Sequence, residues 1–170
     1  MESDNSKILV FGIEKCWQIV AENLQGENTQ LKFSSSISDL LSSLNESSFD
    51  LILLLDLENE DDAFSACKLV KSNPHYKNIP VIFFSFNGNK KTIIEAFDAG
   101  ADDFVSYPVD WFELKDKIDL RIFMGKNHNS STDSYRENQK NLQLITHEIM
   151  NLKYEIYNQF KSHEAGQRIC

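Results

Sequence analysis

The chain has 170 residues, 41% of them apolar, with a net charge of −9 and a pI near 4.9. That is enough for one domain with a real core and an appendage. The acidic balance excludes nonspecific binding to nucleic acid or an anionic membrane surface, because phosphate contacts need clustered Lys and Arg. No apolar stretch approaches the roughly 20 residues that span a bilayer. The polar start, from Met1 to Ser6, has neither the basic nor the apolar part of a signal peptide. The expectation is a cytoplasmic chain with no nucleic-acid or membrane partner. Cys16, Cys67 and Cys170 are odd in number and form no CxxC pattern, so neither a zinc site nor a disulfide framework is expected.

In chain order, Lys7 to Phe11 is a β-rich run that stops at Gly12. Cys16 to Leu24 carries Trp17, Ile19, Val20 and Leu24 at helical spacing. A turn at Gly26 leads to a weakly signalled strand from Leu31 to Phe33 and a helix from Asp39 to Leu44. The third strand is the strongest signal in the chain. Leu51, Ile52, Leu53 and Leu54, extended by Leu55, stand between Asp50 and Asp56, as a strand buried on both faces would read. In an open parallel sheet, chemistry gathers beyond the carboxyl ends of the strands. Here that place holds Leu55, Asp56 and the acidic run Glu58, Glu60, Asp61 and Asp62.

A helix from Ala63 to Lys71 closes at Asn73-Pro74, since Pro disfavours helical geometry in the residue before it. Ile79 to Ser85 reads as a buried fourth strand, Lys91 to Phe97 as a helix, and Asp103 to Val105 as a fifth strand. Asp110 with Glu113 fits a capping box opening a helix from Trp111 to Phe123. Five strand–helix alternations predict a doubly wound α/β domain with a parallel sheet over residues 1–124. A polar linker follows at 125–133, then a long helix at 134–162 and a tail at 163–170. In that helix Leu142, Ile145, Ile149, Leu152 and Ile156 alternate in steps of three and four, an a/d seam of about three heptads. Leu144, Met150, Tyr154, Tyr157 and Phe160 lie off it.

The (βα)5 order, the strand from Ile79 to Ser85, the stretch Ala96-Phe97-Asp98-Ala99-Gly100-Ala101-Asp102-Asp103-Phe104 and the pair Tyr107-Pro108 resemble response-regulator receiver domains, over about residues 6–123. The resemblance implies the flavodoxin-like fold. It also implies phosphoryl transfer from a histidine kinase to an aspartate at the end of strand three. In the family an acidic pair after strand one binds magnesium, a Ser or Thr follows strand four, and a Lys precedes the Pro after strand five. A hard cation needs several oxygen ligands, and the Lys neutralises phosphoryl charge.

Carried over by position, the acidic pair falls on Gly12 and Ile13, and the Lys on Tyr107, before Pro108. Ser85 matches the switch hydroxyl. The acceptor position falls on Leu55; Asp56 is reached only by a one-residue shift, which normally turns a side chain to the other face. Asp56 is thus either an acceptor on a slipped strand end or, as we expect, a solvated loop carboxylate just past the strand. The acidic run is expected to be solvated too. His147-Glu148-Ile149 has a passing likeness to a histidine-kinase phosphorylation box, but the Arg and Pro that should follow are missing. Trp111 and Phe112 either serve a partner-binding face or pack against the linker or the C-terminal helix.

The reading is a degenerate receiver, or pseudo-receiver, that needs no phosphate and no cofactor. It would be a non-enzymatic module for protein contacts, with a histidine kinase or an effector as partner and a homodimer formed through the C-terminal helix, unless that helix docks on a partner helix or folds back on its own domain and hides the seam. Two alternatives stand beside it. One is a working receiver, phosphorylated on Asp56 with magnesium, whose helix transmits the signal. The other is an α/β enzyme using the acidic loop 58–62.

Overall fold

A computed structural model describes residues 5–57, 62–127, 145 and 148–162. Five parallel strands, β1 (Ser6–Phe11), β2 (Thr29–Ser34), β3 (Leu51–Asp56), β4 (Val81–Ser85) and β5 (Asp103–Ser106), form one sheet in the order β2-β1-β3-β4-β5. A single 3-10 turn (Glu14–Cys16) leads into α1 (Trp17–Leu24). The other crossovers are α2 (Ile37–Glu46), α3 (Asp62–Ser72) and α4 (Lys90–Asp98), and α5 (Trp111–Asn127) follows β5. α5 runs three residues into the stretch expected to be linker. A sixth helix, α6, occupies residues 148–162.

β3 lies in the middle because its sequence fits nowhere else: all six of its residues are buried. Alternation splits them between two layers. Ile52 and Leu54 join Leu9, Leu40, Ala66, Val70, Phe83 and Ile93 under α2, α3 and α4. Leu51, Leu53 and Leu55 join Val10, Val20, Ile82, Leu114 and Ile118 under α1 and α5. Each Leu or Ile buried this way contributes about 1.5–3 kcal/mol. β2, with Gln30 and Lys32, takes the edge, where polar side chains can reach water.

Local signals fix the helix starts. Ser36 accepts from the Asp39 amide at 3.1 Å, Asn89 from the Thr92 amide at 2.9 Å, and Asp110 from the amides of Phe112 and Glu113 at 2.9 and 3.3 Å. Gly100 has φ +102°, and a Cβ there would meet the Lys71 side chain at 2.9 Å. The two aspartates after it are structural. Asp102 accepts from the Val81 amide at 2.7 Å and from Lys71 Nζ at 2.5 Å. Asp103 is buried and accepts from Arg121 Nε and Nη2 at 3.2 and 3.1 Å and from Lys117 Nζ at 3.2 Å, which clamps α5 to β5.

α6 lies against its own domain. Met150 and Tyr154 pack against the α2–α3–α4 layer, and Glu155 lies 3.7 Å from Lys90 at the start of α4. The helix folds back, but not through the seam. Ile145, Ile149, Leu152 and Ile156 face solvent on its other side. Leu142 and His147 lie outside the described residues.

Candidate functional site at the carboxyl ends of the strands

Asp56 is the last residue of β3, only 6% exposed, and not the solvated loop carboxylate expected from the spacing. The parallel register pairs it with Ser85, the last residue of β4. Both follow the alternation of residues under α2, α3 and α4, Asp56 after Ile52 and Leu54, Ser85 after Val81 and Phe83. Their side chains therefore share one side of the sheet. The Ser85 hydroxyl donates to Asp56 Oδ2 at 2.9 Å, and the Phe86 amide donates to the Asp56 carbonyl at 3.0 Å. Leu55, at the position counted from the family spacing, points the opposite way into the α1–α5 layer. Asp56 precedes Ser85 by 29 residues, one fewer than the count that pointed to Leu55, and with the register between the strands unbroken the difference falls in the connection from β3 to β4.

The two positions of the acidic pair hold no carboxylate, and at one of them a side chain would collide with a neighbouring strand. Gly12 has φ +154°, and a Cβ there would stand 2.7 Å from the Leu55 Cβ. Its backbone is pinned on both sides: its amide donates to the Ser34 carbonyl at 3.0 Å, and its carbonyl accepts from Trp17 Nε1 at 2.9 Å. Trp17 is itself stacked on Phe33, with ring centroids 5.2 Å apart. Ile13 packs against the apolar α1–α5 layer, and Glu14 opens the 3-10 turn. Among the described residues, positions 12 and 13 offer no side-chain oxygen to a magnesium ion, which needs several in near-octahedral array. The acidic residues 58–61 lie outside the described residues; Asp62 begins α3.

Tyr107 also departs from the family chemistry. Its amide donates to the Ser85 carbonyl at 2.9 Å, so the backbone keeps its place beside β4. Its ring stacks on Phe86, with centroids 5.8 Å apart, and Phe86 meets Phe84 edge-on at 4.8 Å. An aromatic ladder thus stands where a Lys would reach the phosphoryl group. The Tyr107-Pro108 peptide is cis. Trp111 continues the ladder, 6.1 Å from Phe84, and is half-buried against the α1–α5 layer. Phe112 is 83% exposed. Sequence reasoning missed the ladder because the clue, aromatics at 84, 86, 107 and 111, is split by the crossover through α4.

An open sheet in this order, with a buried carboxylate and a hydroxyl side by side at its carboxyl edge, defines a receiver-type α/β domain. The chain matches the response regulator receiver domain family over residues 14–119 and belongs to it. It is similar to Protein RcaC of Microchaete diplosiphon, 35% identical over 71 residues, which cover 41% of this chain and 11% of that protein. It is also similar to the hybrid signal transduction histidine kinase L of Dictyostelium discoideum, 30% identical over 123 residues, covering 69% of this chain and 7% of that protein. The chain therefore spans about a tenth or less of the length of these relatives.

Among solved structures it is similar in fold to the signal receiver domain of an HD domain-containing protein from Pseudomonas fluorescens. That likeness has a TM-score of 0.67 at 18% identity and covers 76% of this chain and 95% of that one. A response regulator from Chloroflexus aurantiacus gives a TM-score of 0.64 at 20% identity, covering 69% and 98%. Receiver domains of this family serve two-component signalling. No described helix is long and apolar enough to cross a membrane.

Proposed function

We propose that this receiver domain works without phosphate, as a cytoplasmic, non-enzymatic signalling module whose state is set by protein contacts. Its partners would be a histidine kinase or an effector, met through exposed groups such as Phe112, and a second copy met through the C-terminal helix. The observation that carries this reading is the contact between Gly12 and Leu55. Phosphoryl transfer to a carboxylate depends on metal and cationic side chains that spread the developing charge. At position 12 no carboxylate fits, at position 13 stands an isoleucine in an apolar layer, and at position 107 a ring stacks on Phe86.

One observation favours a second reading. The buried Asp56–Ser85 hydrogen bond keeps the family's acceptor-and-hydroxyl relation. In that reading Asp56 is phosphorylated, Ser85 follows the phosphoryl group, and α6, on the same side of the sheet, transmits the change. The enzyme reading, built on residues 58–62, draws no support: Asp62 alone of that run is described, and among the described residues no three His, Cys, Asp or Glu side chains come together as a metal group.

The test is incubation with acetyl phosphate, or with beryllofluoride, in the presence of magnesium. Unchanged mass and unchanged Trp17 fluorescence are expected. An adduct mapped to Asp56 would overturn the phosphate-independent reading in favour of the second.

A further inference from the structure

We infer that α6 pairs with α6 of a second copy of this chain in parallel and in register, while its opposite face stays docked on its own receiver domain. The inference rests on the dimer reading above and adds the orientation and the pairing residues.

The helix has two apolar faces with different occupants. Met150 and Tyr154, four residues apart, sit on the layer under α2, α3 and α4. At 3.6 residues per turn, the line through Ile145, Ile149, Leu152 and Ile156 lies roughly 150° round the axis from Met150 and Tyr154. All four residues of that line are 53–59% exposed. A helix held to its domain by one side and carrying four β-branched or leucine side chains on the other can accept a partner without letting go. The a/d register runs on in sequence through Leu142.

Charge beside the seam selects the occupant and its direction. With Ile149 and Ile156 at a, and Ile145 and Leu152 at d, Glu148 and Glu155 fall at g and Lys153 at e. In a parallel, in-register pair, each g residue faces the e residue five places on in the other helix. Glu148 of one copy then meets Lys153 of the other, and the symmetry repeats the pair. In an antiparallel pair g faces g and e faces e, which sets glutamates against glutamates. Glu155 already lies 3.7 Å from Lys90 of its own domain, and its parallel counterpart across the seam is Phe160, an uncharged and exposed ring. The seam is thus self-complementary in the parallel sense alone. Four layers make a small interface, below the standard of about 1,600 Å², so the pair is a weak one.

Three measurements on the full chain test this. Sedimentation at about 100 µM, suited to a small interface, is expected to show dimer that dissociates in an Ile149→Asp, Leu152→Asp variant whose far-UV spectrum keeps the folded α/β signature. Monomer at that concentration overturns the dimer reading itself, and dimer that survives the double substitution overturns the seam. In a Cys170→Ser background, Leu152→Cys is expected to form an intermolecular disulfide under mild oxidation and Asn158→Cys is not. Lys153→Glu is expected to weaken association by about tenfold and added Glu148→Lys to restore it. Dimer with no disulfide at position 152, or no rescue by the charge swap, overturns the parallel arrangement and leaves the dimer reading standing.

Discussion

Gly12 and Leu55 are so close that a Cβ on the first would lie 2.7 Å from the Cβ of the second. The loss of the first carboxylate of the acidic pair is therefore built into the packing of the strand ends, beyond the choice of side chain. Gly12→Ala and Gly12→Asp are both expected to destabilise by about 1–3 kcal/mol. The first atom of either side chain already collides, and φ +154° adds strain. Urea denaturation of the two variants checks this. A neutral Gly12→Ala, or a Gly12→Asp that gains magnesium affinity, would show that the strand ends can move apart.

The clamp between β5 and α5 predicts an asymmetry. Arg121→Ala leaves the buried Asp103 with Lys117 alone among the three contacts described above, and is expected to cost about 3–5 kcal/mol. Replacing both partners, as Asp103→Leu with Arg121→Met, is expected to cost less than that single change, since neither member of the buried pair remains and Lys117, 24% exposed, can turn to water. Thermal unfolding of the single and double variants decides it; an additive double variant would mean that the pair is not coupled.

Burial pushes the Cys67 thiol from its ordinary value of 9.0 up to about 12, with Lys71 pulling the other way. At pH 8 its thiolate is thus expected to be roughly 1,000-fold scarcer than for an exposed thiol, so iodoacetamide should leave Cys67 untouched in the native chain and label it in urea. The sign for stability follows. The folded state holds the proton more tightly than the unfolded one, so this contribution is full below about pH 9 and is lost as pH rises towards 12. Peptide-resolved labelling against pH checks both points, and native labelling at pH 8 at the unfolded rate would refute the burial account.

The docking of α6 is tested through its inner face. Met150→Ala with Tyr154→Ala removes the two side chains that reach the α2–α3–α4 layer. Hydrogen-exchange protection over residues 148–162 is expected to fall at least about tenfold, with the five strands unchanged. The exposed Ile149 and Leu152 serve as the comparison: their replacement by Asp should leave that intramolecular docking intact. Equal protection in the inner-face variant would mean that α6 is held by something other than these two residues.

Much of this domain was legible along the chain because the information is local. The apolar run from Leu51 to Leu55 reads as a central strand without reference to anything else, and Ser36, Asn89 and Asp110 accept from amides two or three residues ahead. Gly100 and the aspartates after it carry the family pattern whatever surrounds them. The site was legible only in part. Spacing put Leu55 at the acceptor position, because counting back from Ser85 assumes a fixed length for the connection from β3 to β4, and here it is one residue shorter; the parallel pairing of Asp56 with Ser85 is a relation between residues 29 apart in the chain. The same holds for Gly12, whose lack of a side chain becomes a steric fact only against Leu55, and for Tyr107, whose ring finds Phe86 across a crossover. In α6, periodicity marked the seam of Ile145, Ile149, Leu152 and Ile156 as the face to bury, since a heptad pattern scores regular spacing. Tertiary structure used Met150 and Tyr154 instead, because which face a helix buries against its own domain depends on the surface that the domain offers, and that surface is assembled from residues far away in the chain.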